Sequence, residues 1–238
     1  MRAAALSFTA RNSGNRLLDA LSSRDLFDIE RDVQIVMMKA HQPSLSAGQP
    51  VQHVQFPIDA VLSIIVTLNG QSIEVGTIGN ESFVEGEAAL GGVLAARSTI
   101  CQVEGRVGRM PIDVFQERLG SDSFARLMRN NVGASLYCTQ QYLACNAKHS
   151  TLARCARWLL MTGDRAGRAQ FTLNRDFLGI MLGVHEDEMR QVTGELTRLG
   201  AVTYSNADVS IVDAHLLEQI SCECYASCKT AFANSLLD

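Results

Sequence analysis

The sequence predicts an α+β fold in three successive parts: a β-rich N-terminal region, one long helix, and a C-terminal helix-turn-helix followed by a β-hairpin wing. Three observations predict it. From His53 to about Arg109, short apolar runs are separated by turn residues, the texture of a sandwich or barrel. From Ser121 to about Lys148 there is no Pro and only Gly133, while apolar residues recur at helical spacing. From Phe171 to Leu199, two short amphipathic segments flank Gly183.

Taken in order, residues 15–40 read as helical, with Leu17, Leu18, Leu21, Leu26, Phe27 and Ile29 as the apolar positions. Pro43 to Pro50 reads as a loop. Ala60 to Thr67 is β-branched and long enough for one strand. Asn69-Gly70 signals a tight hairpin, because both central residues of a type I′ turn need φ > 0. Ser72 to Ile78 pairs back, and Ser98 to Val103 and Arg106 to Met110 supply two further strands. The helix that follows has about 28 residues and spans about 42 Å. That exceeds what a small domain needs, so it reads as a seam helix for a second copy. Leu127, Asn131, Ser135, Cys138 and Tyr142 are the expected seam. Leu152 to Thr162 forms a further helix with the only tryptophan, Trp158, and residues 163–170 form a polar loop.

The helix-turn-helix begins at about Arg175. Its first helix, to Leu182, carries Phe177, Leu178 and Met181 on one side. Gly183 makes the turn, where φ > 0 suits a residue without Cβ. The second helix starts near His185 and carries Met189, Val192, Leu196 and Leu199 at spacings of three and four. Such a pair places its second helix in the major groove of DNA. Ala201 to Tyr204 and Val209 to Val212, around Ser205-Asn-Ala-Asp, read as the wing. Asp213 to Leu237 closes the chain as a helix or two.

Composition bounds the function. A chain of 238 residues with 47% apolar and 19% charged residues has the balance of one or two ordinary globular domains. No apolar run reaches the roughly 18 residues of a membrane span, and MRAAALSFTARNSGNR lacks a signal-peptide core. The expectation is a cytoplasmic protein with no membrane partner. Seven cysteines, an odd number, point to reduced thiols. The net charge of −4 does not favour a nucleic-acid partner. There is no nucleophile elbow, P-loop, H-E-x-x-H or dinucleotide fingerprint, so no enzyme is expected.

The order of parts, with three local stretches, resembles the Crp/Fnr family of bacterial transcription regulators over about residues 15–230. The stretches are HVQFPIDAVLSIIVTLNGQSIEVGTIGNESF, HSTLARCARWLLMTGDR and CECY at 222–225. The resemblance implies a cyclic-nucleotide-binding-like β-roll (a jelly roll) over 15–120, a dimerisation helix over 121–149 and a winged helix-turn-helix DNA-binding domain over 150–238. It implies a homodimer that binds double-stranded DNA, with RNA polymerase and a small-molecule effector as further candidate partners. No cofactor is expected; a cyclic nucleotide is the candidate effector. In nucleotide-binding members a Gly-Glu pair holds the ribose and an Arg-Ser pair the phosphate. Gly86-Glu87 and Arg97-Ser98 are similar to those pairs, and Thr139 falls near where the long helix would reach the base. A carboxylate suits ribose hydroxyls, and a guanidinium with a hydroxyl suits a phosphate. The bland alternative makes Glu87 and Arg97 solvated rim charges of an empty roll.

Two features depart from the family pattern. Family members usually open the second helix with a small hydroxyl residue and carry arginines on its face. Here His185-Glu-Asp-Glu-Met-Arg-Gln191 opens it with three acids. Residues 150–221 hold seven Arg and no Lys against nine Asp plus Glu. The acids complement the helix dipole, or Glu186 and Asp187 read cytosine while Gln191 reads adenine and Arg190 guanine or phosphate. With Arg175 and His185, these are the candidate DNA-binding residues. The rival function is a dimeric binding module that acts through protein contacts. The second feature is Cys222-x-Cys224-x3-Cys228. With a fourth ligand such as His215 it could hold zinc or an iron–sulfur cluster; plain reduced thiols are the simpler reading, and no metal site is expected. Cys101, Cys138, Cys145 and Cys155 read as small core or seam residues.

Overall fold

The computed structural model describes residues 13–92, 94–173, 175–205 and 208–237, with the side chains of Arg24, Arg175 and Asp176 outside the description. Two short helices come first among the described residues, α1 (Arg16–Asp19) and α2 (Ser23–Glu30). Asn15 and Ser22 cap them, each side chain accepting a backbone N–H of the first turn. The expected helix through residue 40 then gives way to strand β1 (Gln34–Met38). Ile35 and Val36 are β-branched, and pairing with a later strand outweighs helix continuation.

The roll follows as β2 (Pro43–Leu45), β3 (His53–Pro57), β4 (Val61–Leu68), β5 (Gln71–Ile78), β6 (Ser98–Val103) and β7 (Gly105–Pro111). They form two antiparallel sheets, ordered β1-β7-β3 and β2-β6-β4-β5. Asn69 and Gly70 both take positive φ, 52° and 78°, as the hairpin requires. The segment expected as loop at 43–50 contributes the short strand β2.

Next come α3 (Ile112–Arg118) and the long helix α4 (Asp122–Lys148), 27 residues as its pattern foretold. An aromatic ladder ties α4 to the roll: Phe56, Phe83, Phe115 and Phe124 stand in sequence with ring centroids 5.8, 5.8 and 5.6 Å apart. Asn131 of α4 is fully buried. Its Nδ2 donates to the Glu81 carbonyl at 3.0 Å, and Ser82 Oγ donates to its Oδ1. Such a satisfied polar pair fixes the register of helix on roll.

The C-terminal part comprises α5 (Thr151–Ala166), β8 (Gln170–Thr172), α6 (Arg175–Leu182), α7 (Glu186–Arg198), β9 (Val202–Ser205), β10 (Asp208–Ile211), α8 (Ala214–Ile220) and α9 (Cys224–Ser235). Gly183 turns α6 into α7 with φ 66°. The wing has a third strand, β8, in the order β8-β10-β9; its tip, Asn206 and Ala207, lies outside the described residues. Leu178, Met189, Leu196, Val202, Val209 and Leu217 share one core with Trp158 and Leu159 of α5.

The seam expectation is corrected here. Leu127, Asn131 and Cys138 are buried within the chain, and Tyr142 packs under the Arg157 guanidinium. The cause is α9, which folds back along α4 and covers this face: Phe232 joins its core and Ser235 approaches Asn131. The outward face of α4 instead presents Gly133, Leu136, Tyr137, Gln140 and Leu143, with Leu136 and Leu143 59% and 68% exposed. No helix among the described residues is long and apolar enough to cross a membrane.

Candidate functional site

A cavity of about 280 Å³ lies between the β4–β5 side of the roll, the turn at residues 83–90, and α4. Its wall includes Gly86, Glu87, Arg97 and Thr139, four of the five residues expected to hold an effector. Ser98 is the fifth and is not in the wall; its Oγ accepts the Ala47 N–H at 3.1 Å. Glu87 and Arg97 form an ion pair with each other at the rim, each more than a third exposed. An incoming anion must therefore compete with Glu87 for the guanidinium. Thr139 Oγ1 donates to the Ser135 carbonyl at 2.9 Å, leaving its lone pairs for an acceptor role.

Glu85 and Arg165 also line the wall, as does Tyr142, which the sequence placed in the seam rather than at the cavity. Glu85 sits in the left-handed region, φ 66°, and burial pushes its carboxyl up to about 8 despite Gln55 Nε2 at 3.4 Å. Arg165 belongs to the segment read as a polar loop, yet it is buried on the last turn of α5. Its Nε donates to Glu81 Oε1 at 2.6 Å, and Thr77 Oγ1 accepts from its Nη1. Gly79 lies against the Arg165 side chain with no room for a Cβ.

A second contact joins α5 to the roll. Trp158 Nε1 donates to Glu74 Oε1 at 2.9 Å, and Ser63 Oγ donates to the other oxygen at 2.7 Å. Burial lifts the Glu74 carboxyl to about 7. Tyr225 of α9 donates to Asp164 at 2.8 Å, beside the Lys229–Asp164 pair at 3.1 Å. The cavity thus touches the roll, α4, α5 and α9 at once. Arg165 puts α5, the element that leads into the helix-turn-helix, in the cavity wall.

On α7, His185 is the N-cap without a side-chain cap bond, and Glu186, Asp187, Glu188, Arg190 and Gln191 are all exposed. Arg190 is held by its own helix: Glu186 at 2.5 Å and Asp187 at 3.8 Å. Arg198 pairs with Glu195 at 3.0 Å. Glu188 accepts from Thr151 Oγ1 at 2.5 Å, linking α7 to the start of α5. Arg175 opens α6, and its side chain lies outside the described residues. The cysteine motif splits: Cys228 approaches Cys138, while Cys222 and Cys224 turn to Cys145 and His149.

Known structures have this architecture. FixK2 from Bradyrhizobium japonicum superposes with a TM-score of 0.65 at 13% identity, over 80% of this chain and 98% of that one. This is the fold of the Crp/Fnr transcription regulators. A CRP-family transcriptional regulator from Thermus thermophilus gives 0.64 at 17% identity, over 78% and 96%. The c-di-GMP responsive global regulator CLP from Xanthomonas campestris gives 0.61 at 13%, over 81% and 100%. No family model and no curated protein matches the sequence. The Crp/Fnr fold thus extends from the roll through the winged helix.

Proposed function

We propose that the chain is a transcription regulator of the Crp/Fnr type, acting as a homodimer on double-stranded DNA under control of the roll cavity. The observation that carries the reading is the presence in one chain of a roll with a cavity, a long helix and an outward-facing α7. Residues 15–120 are the sensor, 121–149 the dimerisation helix and 150–238 the DNA-binding part. The second copy meets the Gly133, Leu136, Gln140 and Leu143 face of α4, whose large apolar residues are exposed on the single chain. His185, Glu186, Asp187, Arg190 and Gln191 face the major groove, with Arg175 a further candidate DNA-binding residue, in a two-fold site with half-sites about 34 Å apart.

The effector is a small anion-bearing molecule at Arg97, Thr139 and the turn at Gly86-Glu87. A cyclic nucleotide fits that chemistry once its phosphate displaces Glu87 from Arg97. Calorimetry with cyclic AMP, cyclic GMP and c-di-GMP tests it; binding unchanged by Arg97→Ala places the effector elsewhere.

A second reading is favoured by one observation: both exposed arginines of α7 are neutralised by acids of the same helix. A protein-contact module would need no phosphate neutralisation. Random-site selection at low salt separates the two. A palindromic preference supports the regulator, and no preference with any effector overturns it. Replacing Glu186 and Glu188 by Gln is expected to raise non-specific DNA affinity, because it removes the nearer of the two acids that hold Arg190 and two like charges per subunit. If Arg190 then neutralises one phosphate, log affinity against log salt steepens by about 0.9 per subunit.

A further inference from the structure

Four potential ligands meet where α4 ends. Cys145 and His149 are one helical turn apart, so they share a face at the last turn of the helix. Cys222 lies in the turn between α8 and α9, and Cys224, on the other side of Glu223, is the first residue of α9. The three sulfurs and one histidine nitrogen all lie within 4.8 Å of one another. Cys145 Sγ is 3.5 Å from Cys222 Sγ, and Cys224 Sγ is 3.6 Å from His149 Nδ1.

The two contacts of 3.5 and 3.6 Å are close to the edges of one coordination tetrahedron, and the 4.8 Å limit on the others leaves room for one ion. Zinc bonds of about 2.3 Å to sulfur and about 2.0–2.1 Å to nitrogen set tetrahedral S···S and S···N edges at about 3.8 and 3.6 Å. An iron–sulfur cluster spreads its protein ligands over several irons and holds them farther apart. A disulfide between Cys145 and Cys222 would use two of the four donors and leave Cys224 facing His149.

The surroundings are those of a metal site. His149 turns Nδ1 inward, and its Nε2 lies 3.3 Å from Glu223 Oε1, the carboxylate–histidine arrangement that orients a ligating imidazole. Gln141 Nε2 donates to Cys224 Sγ at 3.3 Å, a bond that supports a thiolate. Cys145, Cys222 and Cys224 are buried.

We propose that Cys145, His149, Cys222 and Cys224 bind one divalent metal ion of the zinc class per chain, in a closed Cys3His site. Four protein ligands leave no open position, so the ion is structural. Three thiolates and an imidazole select zinc over hard cations. Its place gives it a task. His149 is the C-cap of α4 and Ser150 the N-cap of α5, so the ion clamps the bend between long helix and DNA-binding part to the α8–α9 turn. Binding releases one proton per thiol that enters as thiolate, with no redox change.

The test uses full-length protein purified in reductant without chelator. Mass spectrometric metal analysis is expected to find about one zinc per chain. Cys224→Ser and His149→Ala should lose most of it, while Cys228→Ser and His215→Ala keep it. Should those variants fail to fold, the wild type still decides: stripped of metal and titrated with cobalt(II), it should give the strong visible bands of a tetrahedral thiolate complex at one equivalent. Zinc-free wild type without that cobalt spectrum overturns the proposal. So does a Cys145–Cys222 disulfide trapped by alkylation at lysis, or iron with acid-labile sulfide in anaerobically purified protein.

Discussion

Replacing Glu81 by Leu should be among the most damaging single changes in this chain. Glu81 and Arg165 form an ion pair with side chains only 7% and 4% exposed. Removing the carboxylate leaves a buried guanidinium with the neutral Thr77 and Tyr142 hydroxyls beside it, and no counter-charge from Glu81. Breaking one side of a buried pair costs about 3–5 kcal/mol. Since a new Leu restores apolar packing, the lower half of that range is expected, about 3 kcal/mol. The double variant Glu81→Leu, Arg165→Met removes both charges and should lie within about 1 kcal/mol of wild type. Urea unfolding at one fixed chain concentration measures both, since a dimer's stability depends on concentration. Glu81 belongs to the roll and Arg165 to α5, so the single variant should also release α5 at lower urea than the roll. A loss below about 1 kcal/mol for Glu81→Leu, or a double variant no better than the single one, would refute the claim that this pair holds the two parts together.

Three further outcomes follow from the same contacts. Glu85 has its carboxyl raised from 4.5 to about 8 by burial, so its contribution to stability is present below pH 4.5 and lost as pH rises through 8. Glu85→Gln should therefore flatten the fall in melting temperature between pH 5 and about 8.5, where Glu74, raised to about 7, acts in the same direction; an unchanged pH profile would contradict the burial argument. Leu136→Arg with Leu143→Arg should give monomers in sedimentation at micromolar concentration, while Cys138→Arg should instead unfold the chain, because Cys138 faces inward. Gly79→Ala should destabilise by about 1–3 kcal/mol in thermal unfolding through its clash with Arg165.

Local signals were legible where one residue type dictates a conformation or one period dominates. Asn69-Gly70 and Gly183 took the positive φ that their turns demand, and Met189, Val192 and Leu196 are the buried side of α7 as their spacing implied. Gln34–Met38 is ambiguous in the sequence because the four-residue apolar run Ile35–Met38 fits both a strand and a helix pattern. Strand β8 has three residues, too few for any period. The pocket was legible at Gly86, Glu87, Arg97 and Thr139 through the resemblance, but Arg165 was not, because its partner Glu81 is 84 positions away. The same holds for the cysteines. Spacing grouped Cys222, Cys224 and Cys228, whereas folding brings Cys145, 77 positions away from Cys222, into the group and turns Cys228 to Cys138.

The inward and outward faces of α4 show what kind of information the sequence withheld. Leu136 and Leu143 are seven residues apart, as are Cys138 and Cys145. Both pairs have the repeat of a seam. Two residues separate the pairs, which on an α-helix is about 200°, so they lie on opposite sides. Periodicity gives two apolar sides; it does not say which of them the chain itself covers. The C-terminal helix decides, because α9 takes the Cys138 side and leaves Leu136 and Leu143 outside. Thr139 stands between the two faces, against the cavity. Thr139 thus belongs to a rod whose inner face holds α9, whose outer face is exposed, and whose end passes through His149 and Ser150 into α5.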